Sequence, residues 1–486
     1  MYKLSQNIFV FLYFILWALL VLFLMSPDSP MHGPYNHGDS ASFFLCGKAL
    51  MNGLVPYVAF SDSKGLLLFL LYGLGYVISP TNYYGVYIIG SLSYGFIFYY
   101  NYKTTMLFLH NKMASLFVTS LMAFAYFGFD YHIEFRSEDF ATLFVAVSLY
   151  ELFATYYNKE ESDNSSLRAL VLGGCFVALL LIKYNMAVMH SVILFLFLWY
   201  QVYEKKHFVE PLLWMILGGV VFALPFILFL LLTDSFIPFI HEYFLATAST
   251  VPSITGGLEG MTKSIVYKVL FLKNELLIYI LLGSILLGAQ ISRYKCVPML
   301  VGLWFFILSS FHNDSWGHYY YGISSIFVLY FFISLFLIIK PVIRKRYFAI
   351  LLLYIILWGI GENMYGRMKD FVIWKDTPEK MHYDRISSLM SKKRNPLVLY
   401  CYLHEYGFGL EVEPLPAGKY YGFQSGSSPQ MEKEHLQLFY SSRADFVIVD
   451  KKELNKKIKK EELERLGYHQ YYECPYMGNE LVVWGK

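Results

Sequence analysis

Residues 66–78 read LLLFLLYGLGYVI, an apolar run of 13 residues that begins two positions after Lys64. A helix needs about 20 apolar residues to cross the hydrocarbon core of a bilayer. We therefore expect this run to form a half-membrane or interfacial helix at one face of the membrane. It decides the fold, because the side on which every later segment lies depends on whether this run crosses.

Apolar runs of membrane-spanning character surround this short one. With residues 66–78 left out, they number eleven and predict transmembrane helices over residues 8–25, 83–100, 113–129, 139–157, 169–183, 187–203, 211–232, 274–290, 296–311, 318–339 and 347–364. Every strongly basic short loop then falls on one side, which the positive-inside rule assigns to the cytoplasm. The N-terminus is predicted to be cytoplasmic. The long segments 26–82 and 233–273 and the C-terminal region are predicted to be outside.

The composition separates two parts of the chain. Of all residues, 57% are hydrophobic and 15% are charged, whereas a soluble domain has about 25% charged residues. Residues 365–486 contain 36 of the 75 charged residues, so the first 364 residues are too poor in charge to solvate a globular surface. We predict a polytopic α-helical integral membrane protein, with a transmembrane domain over 1–364 and a small extracytoplasmic α/β domain over 365–486. A bacterial inner membrane is favoured, and the net charge of +3 gives no sign of nucleic-acid binding.

The C-terminal region alternates strand-like and helix-like patterns. We predict strands over 397–402, 445–449 and 481–484 and helices over 431–442 and 453–466. No catalytic group of residues stands out there. Cys401 and Cys474 either pair in an oxidising compartment or are two free thiols.

Charged residues in the first external segment have two interpretations. Asp39 precedes a predicted amphipathic helix over 43–51, where an aspartate often serves as the N-cap. Asp62 and Lys64 lie just before the short apolar run, where Lys64 can extend to the lipid headgroups from a solvated turn. The functional interpretation is a polar site at the outer face.

The second external loop strengthens the functional interpretation. Residues 130–140 read DYHIEFRSEDF, and acidic groups beside hydrocarbon usually face a polar cavity. Helix capping accounts for Glu138 or Asp139 but not for both. Lys183, at the outward end of a later run, either extends its ammonium group to the membrane interface or meets an anionic lipid headgroup. Residues 312–321, HNDSWGHYYY, fit an aromatic interfacial girdle or a third part of a site.

Together these motifs resemble the GT-C glycosyltransferases, in the branch of protein O-mannosyltransferases and lipid A aminoarabinose transferases. The resemblance covers residues 1–160 well and 300–365 loosely. It rests on Gly38-Asp39-Ser40, Asn52-Gly53, Asp62-Ser63-Lys64-Gly65, Arg136-Ser137-Glu138 and His318-Tyr319.

The resemblance implies roles for individual residues. Asp39 matches the external-loop aspartate at the reaction centre, as general base toward the acceptor. Lys64 matches the lysine that contacts the donor phosphate, although Leu66 stands where the family usually has proline. Glu138 matches the acid of the second loop, an aspartate in many relatives.

The remaining implied contacts concern the donor. His318 and Tyr319 match a His-Tyr pair near the donor pocket, and Arg136 or His318 can assist Lys64 in stabilising the departing phosphate. The implied partners are a polyprenyl-phosphate sugar donor, a lipid, glycan or protein acceptor, and membrane lipids. No cofactor is implied. A divalent cation on Asp39 and Glu138 is an open alternative, and the branch that the chain resembles works without one.

The implied function is an inverting transfer of a hexosyl or pentosyl group from a lipid-linked donor at the outer, periplasmic face. One alternative within the fold is oligosaccharide ligation or polymerisation. An alternative from another class is a polytopic lipid or polysaccharide transporter or flippase. Transporters more often show an internal repeat with interrupted helices, whereas this chain has long external segments.

Overall fold

The computed structural model describes residues 2–26, 28–30, 38–128, 135–157, 164–246, 275–291, 294–310, 325–339, 378–401, 414–419, 429–441, 443–452, 454, 458–476 and 479–486. The chain forms two compact units. The first comprises Met1–Ser26, Gly90–Ile227 and Val251–Tyr365, and the second comprises Pro27–Ile89, Leu228–Thr250 and Gly366–Lys486. The second unit therefore includes N-terminal as well as C-terminal residues, and a domain boundary after residue 364 stays a prediction.

Helices dominate the described residues before position 340. In chain order they are α1 (Tyr2–Met25), α2 (Gly38–Met51), α3 (Leu66–Ile78), α4 (Tyr84–Leu109), α5 (Lys112–Gly128), α6 (Ser137–Tyr157), α7 (Ser165–Ile182), α8 (Tyr184–Tyr203), α9 (Val209–Leu232), α10 (Phe236–Phe239, continued by a π-helix over Ile240–Ala246), α11 (Glu275–Gln290), α12 (Cys296–Ser310) and α13 (Val328–Ile339).

These helices cover ten of the eleven predicted runs, wholly or in part, while the run over 347–364 lies outside the described residues. Among the described helices, five are long and apolar enough to cross a membrane: Asn7–Leu24, Ser137–Tyr157, Ser165–Ile182, Tyr184–Tyr203 and Val209–Leu232. The polytopic helical class is confirmed. The count of eleven crossings stays a prediction.

Helices α7 and α8 form a hairpin in the first unit with a connection of one residue. Lys183 is extended, with φ −159° and ψ 109°, and the helices end and begin on either side of it. The rings of Phe176 and His190, each seven positions from Lys183, have centroids 6.0 Å apart. The two helices therefore fold back on each other.

Glycines allow α7 to approach α9 closely. A Cβ atom on Gly173 would lie 1.8 Å from the carbonyl oxygen of Met215, and one on Gly218 would lie 1.9 Å from that of Leu170. Small residues at such crossings let membrane helices meet backbone to backbone.

In the second unit, α2 packs along α3. A Cβ atom on Gly47 would lie 2.5 Å from the backbone nitrogen of Gly73, so the glycine permits this contact. Helix α3 has the bounds that the apolar run predicted. Its length of about 20 Å, at 1.5 Å per residue, is shorter than a bilayer core, and its interfacial position stays a prediction.

The C-terminal residues form a five-stranded sheet in the order β2-β1-β3-β5-β4. Its elements, in chain order, are α14 (Pro378–Met390), β1 (Leu397–Cys401), β2 (Leu415–Pro416), α15 (Pro429–Tyr440), β3 (Phe446–Asp450), α16 (Lys460–Arg465), β4 (His469–Tyr476) and β5 (Asn479–Gly485). Strand β1 is parallel to β2 and β3, whereas β5 is antiparallel to β3 and β4.

The predicted strands over 397–402, 445–449 and 481–484 are confirmed in β1, β3 and β5, and the helix over 431–442 is confirmed with a shift of two residues. Among the described residues of the predicted helix over 453–466, Lys460–Arg465 are helical, and the prediction is wrong at Leu454 and Ile458. Leu454 and Ile458 instead form a short bridge, with Ile458 fully buried in the core. Glu461 and Glu462 then favour a helix start at this point through the helix dipole.

The sheet separates the two C-terminal cysteines. Cys401 is in β1 and Cys474 is in β4, with β3 and β5 between them. Three strand spacings place the backbones about 14 Å apart, whereas a disulfide needs Cα atoms within about 7 Å. Cys474 is a free, buried thiol, so the pairing alternative is wrong.

Candidate active site

Asp39 lies in the first turn of α2, which begins at Gly38. The predicted helix started at residue 43, with Asp39 ahead of it as the N-cap. The observed helix starts five residues earlier, so Asp39 is a helical residue and is half-buried. Its neighbours on the same helix face are at the i+3, i+4 and i+7 positions, namely Ser42, Phe43 and Cys46.

The loop before α3 meets this face of α2. The Ser42 hydroxyl donates a hydrogen bond of 3.1 Å to Oδ2 of Asp62. Nζ of Lys64 lies 3.8 Å from the other oxygen of Asp62 and 5.1 Å from the ring centroid of Phe43. The ammonium group of Lys64 thus lies against Phe43, which is one helical turn after Asp39 on α2.

Lys64 is buried by the protein, with 8% of its surface exposed. Nζ also donates a hydrogen bond of 3.2 Å to Oγ of Ser63. The loop therefore holds a desolvated cation whose partners include a carboxylate, a hydroxyl and an aromatic face. Such a cation suits an anionic oxygen ligand.

Tyr57 anchors the loop that carries Lys64. Its side chain is fully buried and its hydroxyl donates a hydrogen bond of 2.9 Å to the backbone oxygen of Lys64. Its φ of 66° is in the left-handed region, which a bulky residue adopts only when its surroundings enforce it. Ring contacts with Phe69 and Phe239 surround it.

Cys46 is an inert member of this group. Burial raises the pKa of its thiol well above the usual value, Asp62 raises it further, and Lys64 opposes the rise. The side chain therefore stays a neutral thiol and is not a nucleophile.

In the first unit, two adjacent acids at the start of α6, Glu138 and Asp139, make different contacts. Oδ2 of Asp139 accepts a hydrogen bond of 2.9 Å from the backbone nitrogen of Arg136, and its Oδ1 accepts one of 2.5 Å from Tyr94. An acid at the third helical position that reaches back to the cap residue satisfies an orphan backbone donor. Asp139 thus fits the capping interpretation.

Glu138 makes a different set of contacts. Its Oε1 lies 2.5 Å from Nζ of Lys183, and its Oε2 accepts a hydrogen bond of 2.8 Å from Ser137. Glu138 is 2% exposed. The alternative in which Lys183 extends to headgroups is wrong, because its ammonium group is buried against this carboxylate.

Arg136 is half-buried at the start of α6. The residue before it, Phe135, has φ 50° and fits against Gly90, where a Cβ atom would lie 2.1 Å from the ring. Aromatic packing in a left-handed conformation therefore fixes the backbone from which Arg136 projects.

The predicted site residues fall into three groups. Asp39 and Lys64 both lie in the second unit, where Lys64 contacts Phe43 one helical turn after Asp39, and Arg136 and Glu138 lie in the first. His318 and Tyr319 lie outside the described residues. Sequence reasoning missed Ser42 as a partner of Asp62. It also missed the pairing of Lys183 with Glu138, for which the only signal was a lysine inside an apolar run. In the part of the chain that the structure describes, no group of three or more His, Cys, Asp or Glu residues could hold a metal ion.

Comparisons with known proteins give a fold and no sequence family. No family model matches the sequence, and no curated protein matches it. Among solved structures, ArnT from Cupriavidus metallidurans bound to undecaprenyl phosphate is similar with a TM-score of 0.58, at 12% identity over 99% of this chain and 98% of that chain. The apo form of the same protein gives 0.57, at 12% identity over 100% and 98%. ArnT is a lipid A aminoarabinose transferase, and this chain has the GT-C fold that ArnT represents.

Proposed function

We propose that this protein is a membrane glycosyltransferase that moves a sugar from a polyprenyl-phosphate donor to a hydroxyl or phosphate acceptor at the outer face of the membrane. The observation that supports the proposal is the buried Lys64 ammonium, which lies 5.1 Å from the ring centroid of Phe43, one helical turn after Asp39 on α2. The second unit thus supplies a carboxylate and a desolvated cation, in a chain with the fold of an enzyme solved with undecaprenyl phosphate.

The proposed transfer requires a base for the acceptor proton and a cation for the leaving phosphate, and Asp39 and Lys64 fill these two roles. The bond between the sugar C1 and the phosphate oxygen breaks, and the phosphate leaves with the electron pair as polyprenyl phosphate. The acceptor oxygen forms a new bond to C1 from the opposite face, and its proton passes to Asp39. One displacement inverts the anomeric carbon, and one carboxylate suffices as base.

Lys64 stabilises the charge that develops on the leaving phosphate. Removing a bound ammonium from water strengthens its interaction with an anion, because little solvent is left to screen it. Its carboxylate partner Asp62 is at 3.8 Å, the outer range of an ion pair. The carbonyl of Lys64 meanwhile stays fixed by Tyr57.

Glu138 enters the proposal as a second carboxylate, which an oxocarbenium-like transition state favours. Its proposed role is electrostatic rather than proton donation, because its carboxylate is already in contact with the Lys183 ammonium. Arg136 is proposed as a second phosphate contact, and His318 and Tyr319 keep their proposed places near the donor.

The experiment compares Asp39→Asn with a matched control, Asp234→Asn. Asp234 is exposed and has φ 51°, a conformation that asparagine also adopts. Envelope lipids and glycans from a deletion strain that carries each variant are compared by mass spectrometry, and binding of undecaprenyl phosphate is measured on purified protein.

We expect Asp39→Asn to lower product formation by about 100-fold or more with unchanged binding of undecaprenyl phosphate. The control should match the wild type in both. Normal product formation by Asp39→Asn would show that the assigned base is wrong. Loss of a transported lipid with no missing glycosyl linkage would instead identify a transporter.

A further inference from the structure

A cavity with both polar and apolar lining lies in the second unit, beside the loop that carries Lys64. It has a volume of about 410 Å³ and is lined by Leu54, Val58 and Ala59, by residues 416–419 at the end of β2, by one face of α15, and by Arg443, three positions after the end of α15. This volume falls in the range of about 300–1,000 Å³ typical of small-molecule sites.

The lining combines hydrogen-bonding groups with aliphatic walls. Arg443, Gln437 and Glu434 supply donors and acceptors, and Leu54, Val58 and Leu438 supply apolar surface. A saccharide presents the same combination, because its hydroxyl groups lie around a ring whose faces carry C–H bonds. Lipid tails, in contrast, have no groups that hydrogen-bond to the polar part of this lining.

A hydrogen bond and helix packing connect the cavity to the loop and helix of the candidate active site. The backbone nitrogen of Ser61 donates a hydrogen bond of 2.6 Å to the carbonyl of Lys419, and Nζ of Lys419 lies 2.6 Å from Oε1 of Glu242. Strand β2, which supplies Pro416 to the lining, packs against α2, the helix of Asp39. These contacts therefore connect the residues that line the cavity with the loop that carries Lys64.

The length of α2 sets the distance that a ligand must bridge. Asp39 is at the first turn, and Leu54 follows the last turn closely, so the two ends are about 18 Å apart at 1.5 Å per residue. A single sugar cannot occupy the cavity and also present a hydroxyl to Asp39. An oligomeric ligand can do both.

We propose that this cavity is a distal subsite for an oligosaccharide acceptor, which it holds while a sugar unit nearer the membrane reacts at Asp39. This inference rests on the proposed function and names the acceptor class. A peptide acceptor fits less well, because β2 is an edge strand of only two residues, and its Pro416 has no N–H with which to extend the sheet.

The test blocks the cavity chemically. Gln437→Cys is labelled with a polyethylene-glycol maleimide, in a Cys296→Ser background that removes an exposed native thiol. The matched control is Gln470→Cys with the same label, since Gln470 is exposed on β4 at the opposite edge of the sheet. Product is measured as for Asp39→Asn, and binding is measured with undecaprenyl phosphate.

We expect labelled Gln437→Cys to lose about tenfold or more of its transfer, the equivalent of one good subsite, with unchanged undecaprenyl phosphate binding. Labelled Gln470→Cys should retain both. Full transfer by labelled Gln437→Cys would overturn the subsite, and a product sensitive to protease but not to glycosidases would overturn the glycan assignment. Failure of the proposed function is a separate result, because it is read from Asp39→Asn without any label.

Discussion

Nζ of Lys183 lies 2.5 Å from Oε1 of Glu138, across 45 positions of the sequence and within the first unit. Both side chains are buried, with 11% and 2% exposed. Two desolvated charges in contact depend on each other, because removal of one leaves the other without compensation in a medium of low polarity.

We expect Lys183→Met to destabilise the protein by about 3 kcal/mol or more and Lys183→Arg to recover much of that loss. The double variant Lys183→Met/Glu138→Gln should be more stable than the sum of the two single changes predicts, since it leaves no buried charge. Thermal unfolding in detergent measures the stability of the wild type, the three single variants and the double variant. Additive effects would show that the two groups do not interact.

Lys64 should dominate the affinity for undecaprenyl phosphate. Lys64→Met removes a charge-assisted contact that is worth about 1.5–3 kcal/mol, so the dissociation constant should rise by about 10- to 100-fold. Lys64→Arg should keep most of the binding. The control is Lys452→Met, at an exposed lysine in the C-terminal sheet region, and an equal effect of the two methionine variants would contradict a specific phosphate contact.

The ion pair between Lys419 and Glu242 should hold the Lys64 loop in place. We expect Lys419→Met to speed hydrogen exchange at the Ser61 amide, whose acceptor is the carbonyl of Lys419. The charge-reversed double variant Lys419→Glu/Glu242→Lys should restore protection. As a control, neutralising the Lys393–Asp445 pair, in which the lysine is 58% exposed, should leave exchange at the Ser61 amide unchanged. Protection of this amide that survives in Lys419→Met would show that the Lys419–Glu242 ion pair plays no part.

Cys46 should resist thiol reagents across the range in which ordinary cysteines react. Burial raises the pKa of its thiol well above the usual value, so at about pH 8 almost none of it is the reactive thiolate. Raising the pH by one unit should therefore not produce labelling of the native protein. Cys296 is exposed and should react, which provides the control, and rapid labelling of Cys46 before unfolding would contradict the burial.

Two adjacent glycines in α7 allow a matched test of helix packing. A Cβ atom on Gly173 would lie 1.8 Å from the carbonyl oxygen of Met215, whereas the nearest atom to one on Gly174 is at 3.7 Å. Gly173→Ala should therefore cost about 1–3 kcal/mol through overpacking, and Gly174→Ala should be neutral or slightly stabilising. Thermal unfolding distinguishes the two, and equal stabilities would show that α7 and α9 do not meet at Gly173.

The helices could be predicted from the sequence because apolar length is a local property. The run over 66–78 became α3 with the same bounds. Strand β4 was missed, since Pro475 argues against a strand, yet β4 is at the edge of the sheet, where a proline is tolerated.

The partners of the charged residues could not be predicted, because they come from distant parts of the chain. Glu138 and Asp139 are adjacent and both acidic, and only the positions of Lys183 and Tyr94 assign one to an ion pair and the other to a cap. The resemblance to a known family supplied Asp39 and Lys64. The bond from Ser42 to Asp62, which holds the Lys64 loop against the helix of Asp39, depends on how the loop folds back onto α2.

The single residue that joins α7 to α8 also bears on how the chain is made. If α7 entered the bilayer alone, the Lys183 ammonium at its end would be exposed until α8 emerged from the ribosome, because no aqueous loop separates the two helices. We therefore expect the two helices to leave the translocon together as a hairpin. Glu138 is translated earlier than Lys183. Its carboxylate is therefore already in place as a counter-charge when the lysine is inserted.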